Sequence, residues 1–274
     1  MRIIKVEKYG DEYKITEYKR HTGEKKSDVE LPSDMDGRYD CNISRARSRI
    51  FELARCNEWE YFCTLTLSSE YDRTDLSAWR KSFTQWLRDY RKKGYDVKYL
   101  LVPERHQDGS WHMHGFFSGI GDVSPLAAAD SGTANTSAEV AEWKAKDLNE
   151  QGNLIWRDYS RRWGYCTLSK VRNIEAASRY VTKYITKSLA MDNLISGAHL
   201  FYASRGLHSA ECIAWNAIPM ESDRSFYEGL SDCKHFCNEY IEQWWTKNPE
   251  KIAPLCNVIT GEKFELTFSE LSTD

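Results

Sequence analysis

The chain has 274 residues, of which 41% are hydrophobic and 29% charged, and its mean hydropathy is -0.66. This composition predicts a globular protein, and no apolar stretch is long enough to span a membrane. Residues 1–11 contain no apolar signal-peptide core, and the eight irregularly spaced cysteines predict reduced thiols in the cytoplasm.

The net charge of -3 conceals two regions of opposite charge. Residues 157–187 contain eight Lys or Arg and two acidic residues, whereas residues 221–274 contain five basic and eleven acidic residues. Phosphate binding depends on the local field rather than on the net charge, so the central region remains compatible with nucleic acid. The 10 Trp and 16 Tyr suit either an aromatic core or the stacking of unpaired bases.

Up to residue 117, the spacing of apolar residues predicts six elements. They are a hairpin or leader (1–30), a basic helix (40–56), a buried strand (61–67), an amphipathic helix (76–93), a strand (97–103) and another strand (111–117). The dipeptide Asp108-Gly109 lies between the last two strands and is typical of a hairpin turn. These two strands are therefore predicted to pair with each other.

The remainder of the chain mixes loops, strands and helices. The predicted elements are a mobile loop (119–140), a short helix (142–148), a strand (163–168), a helix (175–190) and an aromatic helix (236–245). Asn173 is predicted to cap the 175–190 helix, because its side chain accepts hydrogen bonds from first-turn N–H groups. The order of strands and helices predicts an α+β fold with an antiparallel sheet.

His112-Met113-His114 is the most distinctive short motif. Side chains two apart on a strand share one face, so both imidazoles point the same way. Glu104 ends the preceding strand, and a hairpin can bring it opposite the histidines. Two imidazoles and a carboxylate with open positions suit Mg²⁺ or Mn²⁺ acting as a Lewis acid on a phosphate. Taken singly, the His-x-His motif is a weak signal, and Glu104 is a solvated charge at a strand end.

The segment from Tyr180 to Lys187 repeats the pattern Tyr-x-x-Lys. Residues four apart lie on one helix face, so Tyr180 and Tyr184 are neighbours, as are Lys183 and Lys187. A phenol with a pKa of about 10 becomes a nucleophile toward a phosphodiester when a cation or base assists it. The alternative is an ordinary amphipathic helix with half-buried tyrosines and solvated lysines, which would be preferred for this helix in isolation.

Arginines supply the candidate DNA contacts. The 40–56 helix is rich in arginine and is expected to help recognise DNA, and the basic 157–187 region supplies further candidates. The candidates are Arg45, Arg49, Arg161, Arg162 and Arg179.

Two further patterns carry less weight. Thr64 and Thr66 share a face of the 61–67 strand and could bond a phosphate or ligand, although a core strand is the default interpretation. Cys233, His235 and Cys237 invite a zinc-site interpretation. That interpretation is disfavoured, because no second ligand pair stands at the spacing of a zinc finger.

Three motifs occur in a fixed order: Phe-x-Thr-Leu-Thr at 62–66, His-Met-His at 112–114 and Tyr-x-x-Lys-Tyr-x-x-Lys at 180–187. Together they resemble the three motifs of the HUH endonuclease superfamily, in its replication-initiator branch. The doubled tyrosine is similar to the initiators of small single-stranded DNA phages and related plasmids. The resemblance spans residues 58–210 and includes Ser-Arg-Gly-Leu at 204–207, which is also similar to phage members.

The resemblance implies a central antiparallel sheet with His112 and His114 on a middle strand, and flanking helices, one of which carries the tyrosines. It implies Glu104 as the third metal ligand. The implied chemistry is nicking of one DNA strand at an origin through a 5′-phosphotyrosine intermediate, which leaves a 3′-OH primer for rolling-circle replication. The two tyrosines would alternate, with Lys183 and Lys187 positioning the scissile phosphate or assisting the phenols.

On this basis we expect a leader and basic helix (1–57), a nicking and joining endonuclease domain (58–210) and an acidic helical appendage (211–274). The sequence contains no P-loop of the form G-x-x-x-x-G-K-[ST], so a host helicase and DNA polymerase are expected partners. The expected substrate is single-stranded or origin DNA in the cytoplasm of a bacterial host, with Mg²⁺ or Mn²⁺ as cofactor and no membrane.

Other functions make different predictions. A transposase-like strand-transfer enzyme would use the same chemistry, but the small relatives of that kind are shorter and have one tyrosine. Relaxases place the tyrosine before the histidine pair, whereas here it follows. A non-catalytic nucleic-acid-binding protein would bind independently of metal and of Tyr→Phe substitution. A metal-dependent hydrolase without a covalent intermediate would keep its metal requirement after both tyrosines were replaced.

Overall fold

The computed structural model describes residues 2–19, 35–125, 154–191, 199–219, 225–238 and 240–261. In chain order the elements are β1 (Arg2–Tyr9), β2 (Glu12–Tyr18), α1 (Met35–Arg55), β3 (Tyr61–Thr66), α2 (Leu76–Lys92), β4 (Lys98–Arg105), β5 (Trp111–Ser118), β6 (Val123–Pro125), β7 (Leu154–Trp156), α3 (Arg157–Arg162), β8 (Cys166–Lys170), α4 (Ile174–Met191), β9 (Tyr202–Ala203), β10 (Glu211–Ile218), β11 (Lys234–Cys237), β12 (Ile241–Thr246) and α5 (Ala253–Thr260), with short 3-10 helices at Ser225–Leu230 and Pro249–Lys251.

The chain divides into two compact units, Asp34–Leu207 and the combination of Met1–Ser33 with His208–Asp274. These units differ from the predicted regions, whose boundaries follow residues 57 and 210. The reason is that the N-terminal hairpin pairs with β10 and β12 from the C-terminal part of the chain, whereas α1 packs within the other unit.

The unit Asp34–Leu207 contains a seven-stranded sheet in the order β6-β7-β8-β3-β5-β4-β9. The described strand pairs are antiparallel, and β5 is hydrogen-bonded to β3 on one side and to β4 on the other. The β4–β5 pair is the hairpin that the Asp108-Gly109 turn predicts. The predicted α+β class with antiparallel sheets is confirmed.

Helices cover both faces of this sheet. One face packs on α2 in a core that includes Leu65, Met113 and Phe83. The opposite face packs on α1 and α4 in a core that includes Val102 and Phe116. Burial of each such side chain stabilises the fold by roughly 1.5–3 kcal/mol. Apolar residues occupy only half of the second face, and the other half carries polar side chains.

The start of α4 agrees with the predicted cap. Asn173 Oδ1 accepts a hydrogen bond from the Ala176 N–H at 3.0 Å. A cap of this kind contributes about 1 kcal/mol and sets the residue at which the helix begins. It therefore also sets the direction in which Tyr180 and Tyr184 leave the helix.

The second unit contains a five-stranded antiparallel sheet in the order β10-β1-β2-β12-β11. The predicted aromatic helix at 236–245 is wrong, because these residues form most of β11 and all of β12. Strand β2 supplies the hydrogen-bonding partner of β12, and Trp244 lies in the core of this unit. The described part of the predicted helical appendage is accordingly built largely from strands, with α5 as its α-helix.

Two predicted elements cannot be compared with the structure in full. The helix at 142–148 and residues 126–140 of the predicted loop lie outside the described residues. The described start of that loop contains the short strand β6. In the described ranges, no helix has the length and apolar character needed to cross a membrane.

Candidate active site

Three adjacent strands build the polar half of the sheet face. Thr66 lies opposite His112 in the register of β3 with β5, and Thr64 lies opposite His114. In the register of β4 with β5, Glu104 lies opposite His112. Side chains directly across a strand pair are close neighbours, with Cβ atoms about 4.5–5.5 Å apart. Two hydroxyls, two imidazoles and one carboxylate therefore lie together on one face.

The two threonines hold the two imidazoles from β3. Thr64 Oγ1 lies 3.0 Å from His114 Nδ1, and Thr66 Oγ1 lies 3.0 Å from His112 Nδ1. A hydroxyl can donate or accept, so either tautomer of each ring satisfies this bond. When Nδ1 donates to the threonine, Nε2 presents a lone pair, which is the form that binds a metal. The threonines are thus part of the site rather than ordinary core residues of the strand.

Glu104 is a buried carboxylate, with 2% of its surface exposed. Its Oε2 lies 2.7 Å from His114 Nε2 and 3.8 Å from His106 Nε2. A buried carboxylate is costly unless a hydrogen-bond donor or a positive charge compensates it. The pairing with His114 provides that compensation in this structure.

His106 belongs to the site, although sequence reasoning missed it. Its ring stacks on the ring of His112 with a centroid distance of 3.8 Å and an interplanar angle of 14°. The signal was present, because His106 stands two residues after Glu104 and strand periodicity places such pairs on one face. The prominence of the His-x-His motif directed attention to β5 alone.

His112 is surrounded by groups that oppose its protonation. Burial lowers its pKa first, and the neighbouring His106, His114 and Arg73 lower it further, to about 3, against the opposing effect of Glu104. The imidazole of His112 is therefore neutral at physiological pH. Neutral imidazole is the form that donates a lone pair to a metal ion.

The tyrosine helix approaches this cluster through Tyr184. The Tyr184 ring stacks on the His114 ring at 3.8 Å with an interplanar angle of 6°. The Tyr184 hydroxyl donates a hydrogen bond of 2.7 Å to the Tyr180 hydroxyl oxygen. Burial raises the pKa of Tyr184, and its hydrogen bond with Tyr180 raises it further. In this arrangement Tyr184 retains its proton.

Tyr180 is the outer of the two tyrosines. It is 48% exposed, and its ring makes an edge-to-face contact with Phe62 at 5.5 Å. Lys183 Nζ lies 5.9 Å from the centre of the Tyr180 ring. Lys187 lies on α4, but its side chain is outside the described residues. Tyr180 therefore has both access to solvent and a nearby cation.

The predicted DNA-binding arginines are dispersed, and three of them pair with carboxylates. Arg49 pairs with Glu52 at 2.9 Å and Arg179 pairs with Glu175 at 2.8 Å. Arg161 pairs with Asp122 at 2.8 Å and with Asp158 at 3.2 Å. These partners reduce the charge that each guanidinium offers to a phosphate.

The other two predicted arginines differ from these three. Arg162 lies with its guanidinium 5.2 Å from the centre of the Trp163 ring. Arg45 is exposed on α1. Neither is brought into contact with the tyrosine pair in the described structure, so any role in DNA binding would be exercised away from the two phenols.

The cluster fits a divalent metal in its chemistry. His112, His114 and Glu104 offer two imidazoles and a carboxylate, and the threonines orient the rings from behind. Within the described ranges, however, no group of three or more His, Cys, Asp or Glu side chains is arranged to hold a metal ion. The direct contact of Glu104 with His114 explains this, because a bound ion would have to lie between these two groups.

The zinc interpretation of Cys233, His235 and Cys237 gains no support. His235 Nε2 lies 2.9 Å from Glu242 Oε1, and Cys237 Sγ lies 2.7 Å from Lys19 Nζ. These side chains have partners other than one another.

Comparison with known proteins gives a family match. Residues 60–189 match the family model for the replication-associated protein ORF2, which indicates a family of replication initiators. The matched segment contains β3, β5 and both tyrosines, so it covers the whole cluster described above. Neither the search of curated proteins nor the search of solved structures found a match.

Proposed function

We propose that this chain initiates rolling-circle replication by nicking and rejoining single-stranded DNA through a tyrosine nucleophile, with the help of a divalent metal. The observation that carries the proposal is the stacking of Tyr184 on His114 at 3.8 Å, with the Tyr180 hydroxyl 2.7 Å from that of Tyr184. Nucleophiles and candidate metal ligands are thereby adjacent. The match of residues 60–189 to a replication-associated family supports the same conclusion.

The proposed reaction is a transesterification. The phenolic oxygen attacks the phosphorus of one phosphodiester, and the bond from phosphorus to the 3′ oxygen breaks as the bond to tyrosine forms. The phenol loses one proton and the departing 3′ oxygen gains one, so the step needs no oxidant or reductant. The 5′ phosphate remains on tyrosine, and the free 3′-OH primes synthesis. Attack of a 3′-OH on the phosphotyrosine rejoins the strand.

Tyr180 is proposed to make the first attack. It is the more exposed of the two tyrosines, and its oxygen accepts the hydrogen bond from Tyr184. A hydrogen bond donated to an oxygen stabilises negative charge that develops there. Lys183 lies near the same ring and favours the same charge. Tyr184 would then serve the second cut, when the origin has been regenerated.

The metal is proposed to be Mg²⁺ or Mn²⁺, held by His112, His114 and Glu104. When bound, it would supply Lewis-acid polarisation of the scissile phosphate. Thr64 and Thr66 would hold the imidazoles in place, and Lys183 and Lys187 would position the phosphate. Binding of Mn²⁺ can be followed by calorimetry without any DNA, and His112→Ala should weaken it.

The substrate is proposed to be single-stranded DNA at a replication origin. A host helicase and a host DNA polymerase would supply unwinding and synthesis, because the sequence contains no P-loop motif. The working compartment would be the cytoplasm of the bacterial host.

A cleavage assay with 3′-labelled single-stranded DNA tests the proposal. Overlapping fragments of the replicon that encodes the chain are incubated with Mn²⁺ and resolved on a denaturing gel. A 5′-phosphotyrosine bond keeps the labelled fragment on the protein, so the expected product is a slowly migrating covalent band. Tyr180→Phe, Tyr184→Phe, the double variant and His112→Ala are compared with the wild type.

We expect the band to require metal, to fall most with Tyr180→Phe and to disappear in the double variant and in His112→Ala. Loss in Tyr184→Phe alone would reverse the proposed order of the tyrosines. Metal-dependent cleavage that survives in the double variant without a covalent band would instead identify a metal hydrolase. Metal-independent binding without cleavage would identify a non-catalytic DNA-binding protein.

A further inference from the structure

A basic groove lies at the opposite end of β4 from Glu104. It has a volume of about 670 Å³ and opens between the C-terminal half of α2 and the turn that follows β9. Four of its described lining residues are cations, namely Arg88, Arg91, Lys98 and Arg205, and Asp96 is the one carboxylate among them. A concave surface with this excess of positive charge attracts polyanions.

Hydrogen bonds fix the turn that forms one wall of the groove. The Ser204 N–H donates to the Tyr99 carbonyl at 2.9 Å, and the Tyr99 N–H donates to Ser204 Oγ at 3.1 Å. Gly206 follows with φ of +80°, a backbone conformation that suits glycine. The start of β4 therefore holds Arg205 in a defined place beside Lys98.

The four cations do not all have the same role. Arg91 Nε donates to the Val97 carbonyl at 2.9 Å, so this guanidinium contributes to holding the loop between α2 and β4. Arg88 instead contacts the neutral side chain of Gln85 at 3.4 Å, and Arg205 is exposed. In the described part of the chain, no carboxylate forms an ion pair with Arg88 or Arg205.

This distinguishes the groove from the arginines selected by sequence. Arg49, Arg161 and Arg179 each lie within 2.9 Å of a carboxylate. Arg88 and Arg205 face a common groove in which Asp96 is the one described acid. Several guanidinium groups that converge on a groove are well suited to phosphate oxygens, which they bind through charge-assisted hydrogen bonds.

We propose that this groove is a second DNA-binding site, which holds the phosphodiester backbone away from the nicking position. The inference rests on the proposed function in that DNA is the substrate. Lys98 and Glu104 are separated by six positions along β4, which corresponds to roughly 20 Å in a strand. DNA that occupies both places extends beyond the scissile phosphate, so the groove would anchor flanking DNA rather than the reacting group.

Salt-dependent binding tests this proposal. The double variant Arg88→Ala/Arg205→Ala is compared with the wild type by fluorescence anisotropy, with EDTA present so that cleavage does not contribute. Mixed-sequence single-stranded and duplex DNA serve as separate probes. Each phosphate contact adds roughly 0.7 to the slope of log affinity against log salt for single strands, and about 0.9 for duplex. We expect the slope to fall by roughly 1.4 with single strands and affinity at low salt to fall on the order of tenfold.

Two further variants control for a general loss of charge. Lys93→Ala/Lys170→Ala removes the same number of positive charges from exposed positions of the same unit that do not line the groove. Asp96→Asn removes the carboxylate of the groove and should tighten binding. Circular dichroism and thermal melting establish that each variant is folded.

The outcomes are distinct. A smaller salt slope in the groove variant with one probe identifies the form of DNA that the groove holds, and a smaller slope with both probes indicates recognition of the backbone alone. Slopes and affinities equal to those of the Lys93→Ala/Lys170→Ala control would overturn the inference. So would an Asp96→Asn variant that binds DNA no more tightly than the wild type.

The same variants separate this inference from the proposed function. On a short oligonucleotide at saturating concentration, Arg88→Ala/Arg205→Ala should form the covalent band as the wild type does, because neither residue touches the tyrosines. On a long oligonucleotide at low concentration it should form less. If the wild type forms no covalent band but still shows groove-dependent binding, the proposed function fails and the binding site remains.

Discussion

The two halves of one sheet face have opposite characters although the same three strands build them. In the half covered by α1 and α4, strands β3, β4 and β5 present Phe62, Val102 and Phe116. Two positions further along, the same strands present threonine, glutamate and histidine side chains. The apolar half holds the helices on the sheet, and the polar half gathers reactive groups beside the tyrosines of α4.

This contrast separates stability from chemistry within one element. A change in the apolar half should lower the free energy of unfolding and leave the reaction of each folded molecule intact. A change in the polar half should impair the reaction and leave folding largely intact. The expected effects below run from the largest to the smallest.

Phe116→Ala should have the largest effect, because it opens a cavity in the apolar half. Phe116 is fully buried and contacts Trp59 and Phe62, each with a centroid distance of 5.4 Å. The free energy of unfolding should fall by about 3–5 kcal/mol. Urea unfolding measures this loss. Phe236→Ala serves as the control, because Phe236 is 51% exposed and its removal should change stability by less than about 0.5 kcal/mol. Equal effects of the two substitutions would contradict the contrast.

Glu104→Gln should impair the reaction more than the fold. It keeps the size of a side chain that is 2% exposed but removes the charge facing His114. Covalent adduct formation should fall on the order of a hundredfold to a thousandfold, the scale seen when one electrostatic group is removed from an active site. Single-turnover kinetics with Mn²⁺ provides the measurement. Activity within a factor of two of wild type would show that this carboxylate is not needed.

Thr66→Val should have a smaller effect of the same kind. It removes the hydroxyl that lies 3.0 Å from His112 Nδ1 while keeping a β-branched side chain on β3. Loss of a partner behind a metal-binding histidine typically costs about 10- to 100-fold in metal affinity. Titration with Mn²⁺ measures that affinity directly. Thr66→Ser retains the hydroxyl and should restore most of the affinity; failure of this rescue would assign Thr66 a packing role instead.

The pH dependence of stability should show the smallest effect. The pKa of His112 is lowered to about 3 in the folded chain, from an ordinary value of 6.5. Between these values the unfolded chain binds a proton that the folded chain does not, so stability falls as pH decreases. This group alone should contribute about 1.4 kcal/mol per pH unit. Urea unfolding in EDTA at pH 7 and pH 5 should show a shallower decline for His112→Asn. An unchanged decline would show that His112 is protonated in the folded chain as readily as in the unfolded one.

The parts of the fold that the sequence predicts well are those decided by neighbours along the chain. The Asp108-Gly109 turn joins two short apolar strands, so the pairing of β4 with β5 follows from a few residues. The cap at Asn173 is similarly local, and α4 begins at Ile174 as expected.

The strand β12 could not be predicted in the same way. Its aromatic residues fit a helical spacing, but Gln243 pairs with Thr16 of β2, more than two hundred residues earlier. Such pairing depends on the tertiary arrangement, which overrides local preference. The grouping of the two chain ends into one unit escaped sequence reasoning for the same reason.

The candidate site shows the same division. Glu104 and the two histidines are neighbours because a hairpin register is a local property. The partner of Arg161 is Asp122, which follows from the contact of α3 with the segment before β6 and not from any spacing. The groove likewise joins α2 to residues 203–206, so its cations are scattered in the sequence and give no motif.

The register of the β4–β5 hairpin sets how far this protein can tolerate insertions. A residue added in the turn between His106 and Ser110 lengthens a loop and leaves the pairing of Glu104 with His112 available. A residue added within β4 reverses the face of every side chain on one side of it. Glu104 would then point toward the core that contains Met113, where a carboxylate has no partner, and the two faces of the sheet would exchange a charge for an apolar group. Natural variation in length is therefore expected to accumulate at the turn and to be absent from the strand.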